Sequence, residues 1–235
     1  MINTLNESNL HKSLKLLYAA QHDGQMEQSV GNWICDVIAA DGEIIEIQTS
    51  TLSALRKKAE DLLKKRRQLR IVAPMVAQKT IVTNDNGTIR KRKSPKKEGL
   101  YSFLRNLTGL CSVLAEENCT LEIVAVHIVE ERVALKTPAQ SKNRRRRFLR
   151  PWLKTGKSLE SIQHTYVFNT RQDYISLLPQ GLPDIFSAST VKETLLSQGT
   201  VISLDNARLL IWLLHKMNIL TVCGKSGRTK LFTFK

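Results

Sequence analysis

The chain has no apolar run long enough to cross a bilayer, and its N-terminus lacks the hydrophobic stretch of a signal peptide. Those absences set the expectation of a cytoplasmic protein with no membrane partner. Cys35, Cys111, Cys119 and Cys223 show no Cys-x-x-Cys spacing, and no Cys/His set has the spacing of a zinc site. The four thiols are therefore expected to be reduced and mostly buried. No Ser/His/Asp or Cys/His signature is present, so covalent catalysis has no support. No internal repeat is visible. Acid is also in short supply, with a net charge of +15 and a pI near 9.9.

What is present is ordinary apart from that charge. At 235 residues, 42% hydrophobic and 24% charged, the chain can bury a substantial core as one domain or two. The positive bias points to a polyanion partner, nucleic acid first. Its distribution is more telling than its sum. Residues 55–98 carry 15 Lys/Arg against 4 Asp/Glu, and residues 140–157 carry 8 Lys/Arg and no acid. The first 54 residues hold 7 Asp/Glu against 2 Lys. An acidic cluster beside a basic surface suits a metal-dependent nuclease, whose metal ligands are acidic and whose remaining surface neutralises phosphates.

Periodicity predicts a helix over 8–20, with Leu10, Leu14, Leu17 and Tyr18 on one stripe. Strands follow over 26–39, with a bend at Gly31, and over 43–49. A helix over 50–66 turns Leu52, Leu55, Ala59, Leu62 and Leu63 inward and Arg56, Lys57 and Lys58 outward. A buried strand over 68–74 is expected to end at Pro74. A basic hairpin, a helix over 101–114 and a strand over 120–129 come next. Residues 138–157 are poor in apolar side chains and read as a basic linker or arm between a first domain, 1–137, and a second, 158–235. The second should contain three helices and a terminal hairpin with a basic glycine turn at 224–227. That order resembles a winged helix-turn-helix.

The most informative stretch is residues 31–48. The Asp41-Gly42 step between two apolar-rich runs signals a hairpin. Folding there brings Asp36 opposite or nearly opposite Glu46, with Gln48 on the Glu46 face. Two carboxylates so placed repel unless a cation or a proton lies between them. A hard divalent ion, Mg2+ with Mn2+ as a substitute, suits such oxygens.

An Asp, nine residues, then Glu46-Ile47-Gln48 resembles the PD-(D/E)XK nuclease superfamily, with Gln at the usual Lys position. The order helix, three strands, helix, strand over 8–74 is similar to that superfamily's core. The resemblance implies an α/β fold with a restriction-endonuclease-like mixed sheet flanked by helices, plus a small α+β winged-helix-like C-terminal domain. It implies Asp36, Glu46, Gln48 and Glu27 as catalytic residues, and Asp36, Glu46 and the Ile47 carbonyl as metal ligands. Gln48 would orient the attacking water but cannot act as a base.

The expected function is Mg2+-dependent endonucleolytic hydrolysis of DNA, with RNA not excluded. The alternative is a catalytically inactive nucleic-acid-binding protein or a DNA-binding regulator. Phosphate contacts are expected from Arg56, Lys57, Arg90, Lys91, Arg92, Lys93, Lys96, Lys97, Arg144, Arg145, Arg146 and Arg147. In the C-terminal part they are expected from Arg208, Lys225 and Arg228. Double-strand cutting needs two such sites, which makes a homodimer plausible. His127 alternates within an apolar strand and reads as a structural histidine.

Overall fold

The computed structural model describes residues 8–140 and 148–235. The chain is a mixed α/β protein with one large mixed sheet flanked by helices. Helix α1 (Asn9–Gln21) is capped by Ser8, whose hydroxyl accepts from the His11 N–H at 3.2 Å. Leu10, Leu14 and Tyr18 are buried, as their spacing predicts. Strands β1 (Gln25–Val30) and β2 (Trp33–Ile38) are joined by a two-residue turn in which Gly31 takes φ +60. The Asp41-Gly42 turn follows, with Gly42 at φ +88, and leads into β3 (Ile44–Ile47).

A 3-10 turn over Leu52–Leu55 runs into α2 (Arg56–Lys64), and all five inward residues expected there are buried. Strand β4 (Leu69–Asp85) lies parallel to β3 and to β6 (Cys119–Gln140), while β5 (Thr88–Lys93) and β7 (Leu149–Phe168) pair antiparallel on β4 and β6. The order across the sheet is β1-β2-β3-β4-β6-β7, with β5 also on β4.

Three sequence expectations need correction. Pro74 does not end β4. The Leu69 N–H donates to Asn118 O, and Val72 O accepts from the Gln48 N–H, so the even-numbered positions face β3. Pro74 pairs with Val124 on β6 but turns its missing donor toward a side on which β3 has already ended.

The helix over 101–114 is broken into α3 (Leu100–Phe103), a 3-10 segment over Leu104–Leu110, and α4 (Cys111–Leu114). Gly109 lies against Ser53 so closely that a Cβ there would be 2.5 Å from the Ser53 Cβ. Close packing on the 52–55 turn shapes this segment more than its own periodicity does.

Residues 138–157 do not form a free linker among those described. Residues 138–140 complete β6 and 149–157 begin β7, so the expected boundaries at 137 and 157 both fall inside strands. The cross-strand ladder supplies the order that apolar content does not. Distal β4, β6 and β7 together with β5 make an extended basic sheet.

The C-terminal part holds α5 (Arg171–Ile175), α6 (Ala188–Ser197), α7 (Leu204–Lys216) and the hairpin β8 (Leu220–Ser226)–β9 (Thr229–Phe234). Its apolar residues are not separate from the rest. Phe103, Leu107 and Leu110 share one buried cluster with Leu178, Leu210 and Leu214. Tyr101 also donates its hydroxyl to Leu177 O at 3.1 Å. A second cluster, under α1, includes Leu10, Leu14, Val72, Val124 and Ile128. No helix among the described residues is long and apolar enough to cross a membrane.

Candidate functional site

The β2–β3 ladder pairs Ile38 with Ile44 and Val37 with Ile45, then stops. The next pair would be Asp36 with Glu46. Instead the Ile47 N–H donates to Asp36 Oδ2 at 2.8 Å, and the Asp36 N–H donates to Glu46 Oε1 at 3.3 Å. Each carboxylate takes a donor from the other strand where the ladder has ended. Two acids at this position are thus fixed by the backbone rather than left in solvent, and Glu46 is only 4% exposed.

Glu27 lies level with them on β1, between the pairs Met26–Val37 and Gln28–Cys35. Its φ of +56 is unusual for a residue with a side chain and is a point of local strain. Three acids therefore line up across three adjacent strands. Among the described residues they do not converge: no group of three or more His, Cys, Asp or Glu side chains is placed to hold one metal ion.

Helices on both faces bring cations to this row. From α1, His11 Nε2 is 3.3 Å from Asp36 Oδ2, and Lys15 Nζ donates to Glu27 Oε1 at 2.8 Å. From α2, Lys58 Nζ is 2.5 Å from Glu46 Oε1 and donates to Ile34 O at 2.6 Å. Sequence reasoning missed all three. Lys58 was expected on the outer face of its helix, yet it is half-buried and turned toward the sheet. The available signal was its place next to Ala59, at the border of the inward stripe.

Gln48 is held elsewhere. Its amide nitrogen donates to Thr51 O at 2.8 Å and lies 3.5 Å from Ser50 Oγ, with no hydrogen bond to Asp36 or Glu46 among the described residues.

The two carboxylates differ electrostatically. Burial works against the Asp36 charge, but the His11 contact, the Ile47 N–H and Lys58 outweigh it and hold the carboxyl below its ordinary value. Burial raises Glu46 to about 7, with Lys58 opposing the rise and Asp36 adding to it. Beside it, burial followed by the Glu46 charge pushes the Cys35 thiol to about 11, which leaves no thiolate nucleophile.

The folded protein therefore holds a proton at Glu46 that the unfolded chain releases near its ordinary value of 4.5. Stability from this group is fullest below that value and is lost as pH rises to about 7. Replacing Glu46 with Gln should thus become more favourable by roughly 3 kcal/mol between acidic and mildly alkaline pH. Denaturant titrations of wild type and Glu46→Gln across that range check it. A difference that does not vary with pH would contradict it.

The expected phosphate contacts are spread widely. Arg56 and Lys57 are exposed on α2, with Arg56 Nε 2.8 Å from Glu60 Oε1. Arg90, Lys91, Arg92 and Lys93 form exposed β5, and Lys96 and Lys97 are exposed just after it. Arg144, Arg145, Arg146 and Arg147 lie outside the described residues. Arg208 and Arg228 line one cavity of about 380 Å³ with Trp212 and Phe232, while Lys225 is exposed on the β8–β9 hairpin. His127, as expected, is satisfied structurally by Thr80 Oγ1 at 3.0 Å and Glu160 Oε2 at 3.1 Å.

No solved structure matches this chain. A protein of Treponema pallidum (strain Nichols) described as "Uncharacterized protein" is 31% identical over 233 residues, covering 98% of this chain and 86% of that protein. A family match extends over residues 8–169, from the cap of α1 to the residue after β7, and so includes the whole sheet. The chain belongs to the family described as "Domain of unknown function (DUF8091)".

Proposed function

We propose that the chain is a divalent-metal-dependent endonuclease acting on DNA, a member of the PD-(D/E)XK superfamily, with Asp36 and Glu46 at its active centre. The observation that carries this reading is the break in the β2–β3 ladder, where two poorly solvated carboxylates are held by each other's strand. Burying acids is costly, and a plain hairpin needs none here.

The donor set fits Mg2+, which uses one or two carboxylates, keeps several waters and takes the rest of its shell from substrate phosphate. Asp36 Oδ1 has no hydrogen bond among the described residues, and the Ile47 carbonyl is the third oxygen of the proposed set. When bound, such an ion would polarise the scissile phosphate and acidify the attacking water.

The chain's own residues have separate tasks. Asp36, kept ionised by His11 and the Ile47 N–H, anchors the ion. Glu46 completes the anchorage after losing its proton. In this reading Lys58, paired with Glu46, supplies the positive charge that Gln48 cannot and would donate a hydrogen bond to a phosphate oxygen. Exposed β5 contributes phosphate contacts that position the substrate without reading its sequence. The three C-terminal helices and hairpin are, in this reading, a winged-helix-like unit whose Arg208, Lys225 and Arg228 add further contacts.

One observation favours the non-catalytic alternative. Lys58 already pairs with Glu46 and opposes the rise of its pKa, so the buried acid has a cation beside it without a metal ion. Incubation of plasmid and oligonucleotide DNA with Mg2+, Mn2+ or EDTA separates the readings. Cleavage that EDTA stops is expected. Binding without cleavage under either metal would leave the DNA-binding alternative.

A further inference from the structure

Beyond the core under α1, one face of the sheet changes from apolar to charged. Ile128 and Leu159 belong to that core or pack on its edge. Two residues farther along the same face lie Glu130 on β6 and Lys157 on β7, which are paired in register.

Glu130 is only 8% exposed. It accepts from Arg132 Nε at 2.8 Å, from Arg132 Nη2 at 2.5 Å and from Lys79 Nζ at 3.3 Å, and Lys154 Nζ is 3.9 Å away. The Lys157 backbone belongs to the β6–β7 ladder, but its ammonium has no hydrogen bond or ion pair among the described residues. Three cations from three adjacent strands, Lys79, Arg132 and Lys154, thus share one buried carboxylate, and on Lys157 both Glu130 and Glu98 act only through their charge. The Trp152 ring stiffens the cluster, with the Arg132 guanidinium 3.5 Å and the Arg150 guanidinium 4.7 Å from its centroid.

Holding up one carboxylate does not need so many cations. Burial, together with repulsion from Lys154 and Lys79, keeps the Lys157 ammonium below its ordinary pKa. Charge gathered at a cost to the folded state calls for an external anion.

We infer that Lys79, Arg132, Lys154 and Lys157 form a phosphate-binding site that grips the backbone of duplex DNA away from the carboxylate pair. Ile47, beside Glu46, is level with Val72, and Lys79 lies seven residues farther along β4. At ~3.3 Å per residue the separation is about 23 Å, or about seven base pairs of duplex. The site would fix the reach and direction of the bound duplex. The choice of DNA as occupant rests on the function proposed above.

The test is anisotropy of a fluorescein-labelled duplex of about 20 base pairs, titrated in EDTA at several salt concentrations so that cleavage plays no part. Replacing Lys79, Lys154 and Lys157 with Gln should lower the slope of log affinity against log salt by about two to three. Affinity near 0.1 M salt should fall about tenfold or more. The triple Lys→Arg variant should keep both. If the Gln triple does not fold, Lys157→Gln alone should lower the slope by about one.

An unchanged slope in a folded variant would overturn the inference and leave the lysines as supports for Glu130. Wild type that binds with the expected slope but never cleaves would remove the nuclease reading and keep this site. Cleavage with an unchanged slope would remove only this site.

Discussion

Asp36→Ala or Glu46→Ala should lower Mg2+-dependent cleavage about a thousandfold, roughly 4 kcal/mol of transition-state stabilisation, while DNA binding stays the same or tightens. Removing either carboxylate removes anchorage for the ion and also a negative charge facing the phosphates. The two variants should differ in stability. Asp36→Ala leaves the Ile47 N–H without its acceptor, and Glu46→Ala leaves Lys58 half-buried and without its partner carboxylate.

Lys58→Ala should cost less activity, about a hundredfold, because it removes one positioned charge and leaves the ligands in place. Gln48→Ala should be milder still, since its amide is engaged with Thr51. Cleavage that survives both carboxylate substitutions would mean that the active centre lies elsewhere.

The second large effect concerns the core. Leu107, 1% exposed, shares one apolar cluster with side chains of the first two-thirds of the chain and with Leu178, Leu210 and Leu214. Leu107→Ala should therefore lower the unfolding free energy by about 2–5 kcal/mol and shift both halves of the molecule together. Trp33 and Trp212 provide fluorescence probes, one near the β1–β2 turn and one on α7. Variants retaining one of these tryptophans should report coincident unfolding midpoints that move together. A shift at Trp212 alone would show that the C-terminal helices unfold independently of the sheet.

Local patterns were readable where one element fixes its own burial. The Leu10–Leu14–Tyr18 stripe, the Asp41-Gly42 turn and the five inward residues of the 52–63 segment follow from spacing and turn chemistry alone. Strand β7 did not show itself. Much of it is exposed, it contains Pro151 and Gly156, and only its register on β6 makes it a strand. Pro74 read as a stop because the strand edge that tolerates it is defined by where β3 ends.

The same division runs through the candidate site. The Asp36–Glu46 spacing was legible because a hairpin register is a local property. The cations His11, Lys15 and Lys58 were not, because each reaches the acids only through the way α1 and α2 settle on the sheet. Nor could sequence show that Gln48 turns into the following turn, or that Glu27 takes a left-handed backbone.

The central claim is that Asp36 and Glu46 bind a divalent ion, and calorimetric titration of Mn2+ into the protein without DNA tests it most directly. One saturable site per chain is expected, with protons released near neutral pH as Glu46 ionises, and with loss of that site in Asp36→Asn and in Glu46→Gln. Equal Mn2+ binding by wild type and both variants, or none by wild type at millimolar metal, would contradict it.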